Sequence, residues 1–70
     1  MEVIQITTEF IKLDSLLKFS SLVGTGGEAK LVIAEGQVKV NGEVCTKRGR
    51  KLYPGDTVDF EQNHLVVEKA

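Results

Sequence analysis

The sequence predicts a small α+β domain in which two short helices pack on a small, mainly antiparallel sheet. Its length of 70 residues suits one domain with a small core. Between residues 13 and 36, apolar residues recur at helical spacing on both sides of a glycine-rich turn. The other apolar residues lie in short β-branched or alternating runs, and an Asn-Gly pair marks a hairpin. Residues 1–70 are therefore expected to form a single domain.

The first two elements are a strand and a helix. Val3–Ile6 is short and β-branched, which suits a strand at the edge of the sheet, and Thr7–Glu9 is a polar break. The apolar face of the following helix comprises Leu13, Leu16, Leu17, Ser20 and Val23. We expect this helix to end in the glycine-rich segment that begins at Val23. Lys12 and Lys18 lie off its apolar face and can point to solvent or to a ligand.

A second, shorter helix is predicted directly after the glycines. Thr25 and Glu28 have the spacing of a capping box, which places the start of the helix there. Its inward face consists of Ala29, Val32 and Ile33. Gly36 can adopt the left-handed conformation that ends a helix.

A hairpin is the clearest local signal. Asn41-Gly42 tolerates the two positive φ angles of a type I′ turn, so an antiparallel pair of strands should flank it. This register puts Val38, Val40 and Cys45 on one side and Lys39 on the other. Cys45 is therefore predicted to be a small buried hydrophobic residue.

The C-terminal third is predicted to contain a basic loop and two strands. The loop runs from Thr46 to Lys51, and Tyr53–Asp56 has Pro and Gly at the central positions of a type II turn. Thr57–Glu61 alternates with period two and predicts a strand. We expect a turn at Gln62–His64 and a last strand at Leu65–Val67.

Charge is distributed unevenly along the chain. The formal net charge is -1, which by itself argues against a polyanionic partner. The segment from residue 12 to residue 51, however, contains eight basic and four acidic residues, a local charge of +4. The two ends, residues 1–11 and 52–70, together carry -5. If the termini pack together, the molecule has one basic side and one acidic side.

The order of elements, together with several motifs, resembles the RNA-binding domain named after ribosomal protein S-four, which contains the αL motif. The matching segments are Leu13–Leu17, Ala29-Lys30, Ile33–Gly36, Val38–Gly42 and Leu52–Asp56, within a motif core at about residues 12–60. Gly26–Lys30 and Arg48–Leu52 are similar to stand-alone bacterial YaaA-like small S-four-domain proteins. The resemblance implies a non-enzymatic protein that binds structured RNA, with ribosomal RNA as the expected ligand and ribosome assembly or function as the expected role.

Basic residues and free backbone groups supply the candidate RNA-binding face. The candidates are Lys12, Lys18, Gly26, Gly27, Lys30, Lys39, Asn41, Lys47, Arg48, Arg50 and Lys51. Four cations between Lys47 and Lys51 repel one another, and a polyanion would relieve that repulsion. At Gly26 and Gly27 the exposed N–H groups of a helix start favour a phosphate. Equally, the two glycines can simply form a tight turn, with Lys30 solvated.

In one respect the chain departs from the resembled domain. Many S-four domains carry arginines in both helices, whereas this chain has Lys12, Glu28 and Lys30. RNA contacts should therefore rely more on the hairpin and the loop. Of the aromatic residues Phe10, Phe19, Tyr53 and Phe60, we expect most to be structural in so small a core. Few free aromatic rings favour recognition of folded RNA through phosphates, sugars and shape.

Other classes of function fit less well. The sequence has no nucleophile beside a base, no paired acids in one motif, and only an isolated His64, so we expect no enzyme activity, cofactor, metal or small-molecule substrate. A protein-interaction module that docks an acidic partner is the alternative. A sulfur- or ubiquitin-like carrier is disfavoured because the chain ends Val67–Ala70 rather than Gly-Gly. With short apolar runs and no signal-peptide pattern, we expect a cytoplasmic monomer without membrane contact.

Overall fold

A computed structural model describes every residue from Met1 to Ala70. The helices are α1 (Leu13–Phe19) and α2 (Gly26–Ala34). The strands are β1 (Glu2–Ile6), β2 (Ile11–Lys12), β3 (Val38–Val40), β4 (Glu43–Val44), β5 (Lys51–Leu52), β6 (Thr57–Phe60) and β7 (Asn63–Lys69). Neither helix has the length and apolar character that crossing a membrane requires.

Five of the strands form the main sheet, in the order β1-β7-β6-β3-β4. All neighbours are antiparallel except β1 and β7, which run parallel from Glu2 opposite Leu65 to Ile6 opposite Lys69. The predicted edge position of β1 is thus confirmed, and the two termini do pack together. A separate two-stranded sheet joins β2 to β5, which the sequence analysis did not predict.

A single apolar core lies between the helices and one face of the main sheet. It contains 16 buried residues, none of them polar or charged. Leu13, Leu16 and Leu17 of α1 and Ala29 and Ile33 of α2 are fully buried in it. Because side chains alternate along a strand, the residues between the buried ones point to the opposite, solvent-facing side of the sheet.

Helix α1 is shorter than its apolar pattern predicted. It ends at Phe19, and Ser21 adopts a left-handed conformation with φ of 64°. The backbone N–H groups of Leu22 and Val23 both donate to the carbonyl of Leu17, which folds the chain back over the helix end. Val23 is therefore buried as predicted, but from outside the helix. The apolar spacing predicted correctly which residues are buried, but it did not predict where the helix ends.

Helix α2 begins and ends where the sequence predicted. The Thr25 hydroxyl accepts a hydrogen bond from the Glu28 N–H at 3.1 Å. The Glu28 carboxylate accepts from the Gly24 N–H at 2.6 Å, one residue before the position that a standard capping box uses. At the other end, Gly36 has a φ of +77°. The predicted N-cap and the predicted stop are both confirmed.

The turns around the hairpin follow the sequence closely. Asn41 and Gly42 have φ angles of 52° and 86°, and Val40 pairs with Glu43 as predicted. In the Tyr53–Asp56 turn, the Asp56 N–H donates to the Tyr53 carbonyl at 2.9 Å and Gly55 has a φ of +99°. Both turn predictions are confirmed.

The final turn lies earlier than predicted. Phe60 pairs directly with Asn63, so Glu61 and Gln62 form the turn, with a φ of 56° at Glu61. Asn63 and His64 belong to β7 instead of the turn, and β7 continues to Lys69. Pairing on both sides of β7, with β6 and with β1, explains its length.

Candidate nucleic-acid interface

The basic loop, Thr46 to Lys51, is docked on the start of α1. The N–H groups of Leu13 and Asp14 donate to the carbonyls of Arg50 and Arg48, at 2.9 and 3.1 Å. Inside the loop, the Arg50 N–H donates to the Lys47 carbonyl at 3.2 Å. These bonds use only backbone groups, so the loop is held in place while its four cationic side chains remain exposed.

Two further lysines lie beside this loop. Lys12 is the direct antiparallel partner of Lys51 in the two-stranded sheet. Lys18 follows Asp14 by four residues and so lies on the same side of α1, one turn along. No lysine or arginine lies within salt-bridge distance of a carboxylate, and the one contact of this kind is between His64 and Asp59. The cations of this region therefore have no carboxylate partner, and Asp14, whose N–H donates to the Arg48 carbonyl, is the one acidic residue of α1.

The N-terminus of α2 has some features that favour phosphate binding and one that opposes it. Gly26 and Gly27 are exposed, and a side chain at Gly26 would meet no atom within 4 Å, so a phosphate could approach. Lys30 is also exposed, one turn further on. However, the Glu28 carboxylate is bonded to Gly24 at the same helix end. A negative charge already compensates the helix dipole there, which weakens this position as a phosphate site relative to the loop.

Two predicted candidates lie apart from the loop. Lys39 is on the sheet face that points away from the helices, and its pairing partner on the neighbouring strand β6 is Asp59. Asn41 has a role inside the fold. Its Oδ1 accepts from the Thr57 N–H at 3.0 Å, and its Nδ2 donates to Asp56 Oδ1 at 3.1 Å. The Asn41 carboxamide thus ties the hairpin to the Pro-Gly turn.

The exposure of the aromatic side chains differs most from what the sequence predicted. Only Phe60 is buried, and the expectation that most of the aromatics are structural is wrong. Phe19 and Tyr53 are 66% and 43% exposed, and Phe10 is partly exposed. The rings of Phe10 and Tyr53 pack 5.9 Å apart, and Lys51 Nζ lies 4.8 Å from the centre of the Phe10 ring. The sequence does contain a signal for this arrangement. In both Phe10–Lys12 and Lys51–Tyr53 a core-facing residue stands between two outward-facing ones, but three residues are too few to predict a strand.

The residues weighed for other chemistry have structural surroundings. Cys45 is 7% exposed, and its Sγ lies 3.7 Å from the Lys47 carbonyl oxygen, so its predicted burial is confirmed. His64 is exposed and hydrogen-bonds to Asp59 across the strands. No three His, Cys, Asp or Glu side chains come together in a group that could hold a metal ion.

Comparison with known proteins agrees with this arrangement. The family model of the S4 domain matches residues 4–68. The chain is 47% identical over 58 residues to "Probable ribosome maturation protein RlbA" of Bacillus subtilis, across 83% of this chain and 82% of that protein. It is 46% identical over 57 residues to YbcJ of Escherichia coli, across 81% of each. The solution structure of YbcJ, described as revealing an ALFAL motif involved in RNA-binding, superimposes with a TM-score of 0.68 at 36% identity, covering 96% of this chain and 84% of that one. The predicted α+β fold is thereby confirmed.

Proposed function

This chain belongs to the S4 (S-four) domain family, and on that premise we propose that it is a non-enzymatic cytoplasmic protein that binds structured RNA through its basic loop. The observation that carries the proposal is the docking of the loop on α1. Four cations in five residues are held on a fixed backbone, exposed and without carboxylate partners.

Electrostatics explain why such a loop favours RNA. Like charges crowded on a short segment repel one another, and the negative phosphates of a polynucleotide relieve that repulsion. Arginine guanidinium groups can also donate two parallel hydrogen bonds to one phosphate. Because the loop backbone is already ordered, binding costs little of the entropy that ordering a free loop would require.

The expected target is ribosomal RNA, free or within a ribosomal subunit. RlbA carries ribosome maturation in its name, and YbcJ is described as having a motif involved in RNA-binding. A role in ribosome assembly or maturation therefore suits the present chain, acting as a monomer through Lys12, Lys18 and the loop cations. Gly26, Gly27 and Lys30 of α2 would form the flank of the same surface, whereas Lys39 and Asn41 contribute least.

Salt dependence tests the phosphate-led mechanism. If roughly four phosphates are neutralised, log K for ribosomal RNA plotted against log salt concentration should have a slope of about -3 to -4. Fluorescence anisotropy of a labelled ribosomal RNA fragment over a salt series measures it. Poly-glutamate serves as the acidic polypeptide probe and should compete only weakly. A flat salt dependence, or poly-glutamate competing as well as RNA, would contradict the proposal.

A further inference from the structure

The two-stranded sheet presents two lysines and two aromatic rings on one face. Ile11 pairs with Leu52, and Lys12 pairs with Lys51. Leu52 is fully buried and Ile11 packs against the core, so the residues that alternate with them point outward. We call this outer face the β2/β5 platform. It consists of Phe10, Lys12, Lys51 and Tyr53.

Tyr53 is the ring of the platform that remains open to a ligand. Lys51 Nζ lies over the Phe10 ring, and Phe10 packs against Tyr53 with an interplanar angle of 50°. The Tyr53 backbone is held on both sides, because Asp56 accepts its N–H at 2.8 Å and donates to its carbonyl at 2.9 Å. Tyr53 is thus a half-exposed ring on a hydrogen-bonded turn, packed against Phe10, which suits the stacking of a flat ligand.

The lysines of the platform are placed for a shared anion. Residues directly opposite in an antiparallel pair have Cβ atoms about 4.5–5.5 Å apart, and like charges in these positions destabilise the pair. Neither Lys12 nor Lys51 has a carboxylate partner. A phosphate between them would relieve the repulsion and would lie two residues along each strand from the aromatic rings.

We propose that the β2/β5 platform binds one unpaired nucleotide of the RNA, with its base stacked on Tyr53 and its phosphate between Lys12 and Lys51. This inference rests on the proposed function and narrows its ligand to folded RNA that carries a bulged or looped-out nucleotide beside a helix. It also changes the expectation from sequence, in which few free aromatic rings favoured recognition by phosphates and shape alone. A paired base cannot offer its face to Tyr53, whereas an unpaired base can.

The experiment compares two RNA hairpins whose stems differ only in a single bulged adenosine and whose identical apical loops are compact, with every loop base stacked or paired. Base stacking on an aromatic ring predicts that the bulged hairpin binds about 5- to 100-fold more tightly. Tyr53 is the only tyrosine and the chain has no tryptophan, so its emission reports the platform directly. The bulged hairpin should quench that emission at saturation, and the paired hairpin should not.

Variants separate the rings from the lysines. Phe10→Leu/Tyr53→Leu should abolish the preference for the bulged hairpin while leaving affinity for the paired hairpin within about 2-fold. Phe19→Leu is the matched control, because Phe19 is an exposed aromatic residue at the far end of α1, and this variant should keep the preference. Lys12→Gln/Lys51→Gln should reduce the slope of log K against log salt concentration by about 1, because the two lysines share one phosphate.

The outcomes distinguish failure of the β2/β5 platform from failure of the proposed RNA-binding function. Equal affinity for both hairpins, or Tyr53 emission that is unchanged by the bound bulged hairpin, overturns the platform and leaves phosphate-led RNA binding intact. A preference that survives in the double aromatic variant also overturns it. No binding of either hairpin or of ribosomal RNA overturns the proposed function as well. If the double variant is unfolded by circular dichroism, the quenching of wild-type Tyr53 decides alone.

Discussion

The basic loop and the paired terminal strands carry opposite charge within one small domain. Around the loop, Lys12, Lys18 and the four loop cations are exposed and unpaired with acids. In the terminal region, residues 1–11 and 52–70 together carry -5, of which the paired strands β1 and β7 contribute -1 through Glu2, Glu68 and Lys69. The molecule measures 30 × 22 × 18 Å, whereas salt screens exposed charges beyond about 8 Å at physiological ionic strength. Charges that lie farther apart than this act almost independently, so the net charge of -1 does not predict the partner.

The two regions also differ in how their backbones are fixed. The terminal strands are held by regular ladders within the main sheet. Only Lys51, the last residue of the loop, pairs in a ladder, and three backbone bonds, two of them to the start of α1, keep the rest of the loop in place. Substitution of loop side chains should for this reason affect binding much more than folding, since those bonds belong to the main chain.

The largest effect should come from reversing charge in the loop. Arg48→Glu/Arg50→Glu takes the segment from Lys47 to Lys51 from +4 to zero. We expect affinity for ribosomal RNA to fall by at least about 100-fold, because two charged hydrogen-bond donors become anions. Unfolding free energy in urea should stay within about 1 kcal/mol of wild type, the range of surface substitutions.

Gly49 is retained in this double variant, so that only side-chain charge changes in the loop. Anisotropy titration with labelled ribosomal RNA measures affinity, and circular dichroism checks folding. A folded double variant that binds RNA as well as wild type would show that the basic loop is only a solvated surface.

A smaller effect is expected at Asn41, and on stability instead of affinity. Asn41→Gly keeps a residue that tolerates the observed φ of 52° but removes the carboxamide that links Thr57 and Asp56. Loss of these exposed hydrogen bonds should cost about 1–2 kcal/mol in urea unfolding. RNA affinity of the folded protein should change by less than about 2-fold. Unchanged stability combined with a tenfold loss of affinity would instead make Asn41 an RNA contact.

The smallest effect should be at the acidic side. Lys69 lies at the end of β7 opposite Ile6, is exposed, and is the only basic residue outside the central segment. Lys69→Glu should change RNA affinity by less than about 2-fold, because it changes charge at the end of β7 and leaves every cation of the basic loop in place. The same anisotropy titration measures it. A tenfold loss would mean that the terminal strands also touch the RNA, and the contrast between the two regions would disappear.

Much of the fold was predictable because it depends on neighbouring residues. The cap at Thr25, the stop at Gly36 and the turns at Asn41-Gly42 and Pro54-Gly55 all follow from the backbone preferences of a few consecutive residues. The family resemblance arises from the same segments. The cationic loop, too, is visible in the sequence, since its charge density needs no knowledge of the fold.

What only the tertiary structure decided are the features that join distant parts of the chain. The β2/β5 pair brings together segments about forty residues apart, and each strand has only two residues, too few to show a period. Without that pairing, most of the four aromatic residues were expected to be structural, whereas Phe10 and Tyr53 lie beside two lysines on an outer face. Likewise, Val23 is buried by a backbone reversal at Ser21 that the apolar spacing does not reveal. Sequence patterns report local conformation and burial, whereas the placement of a binding surface depends on which distant strands pair and in which register.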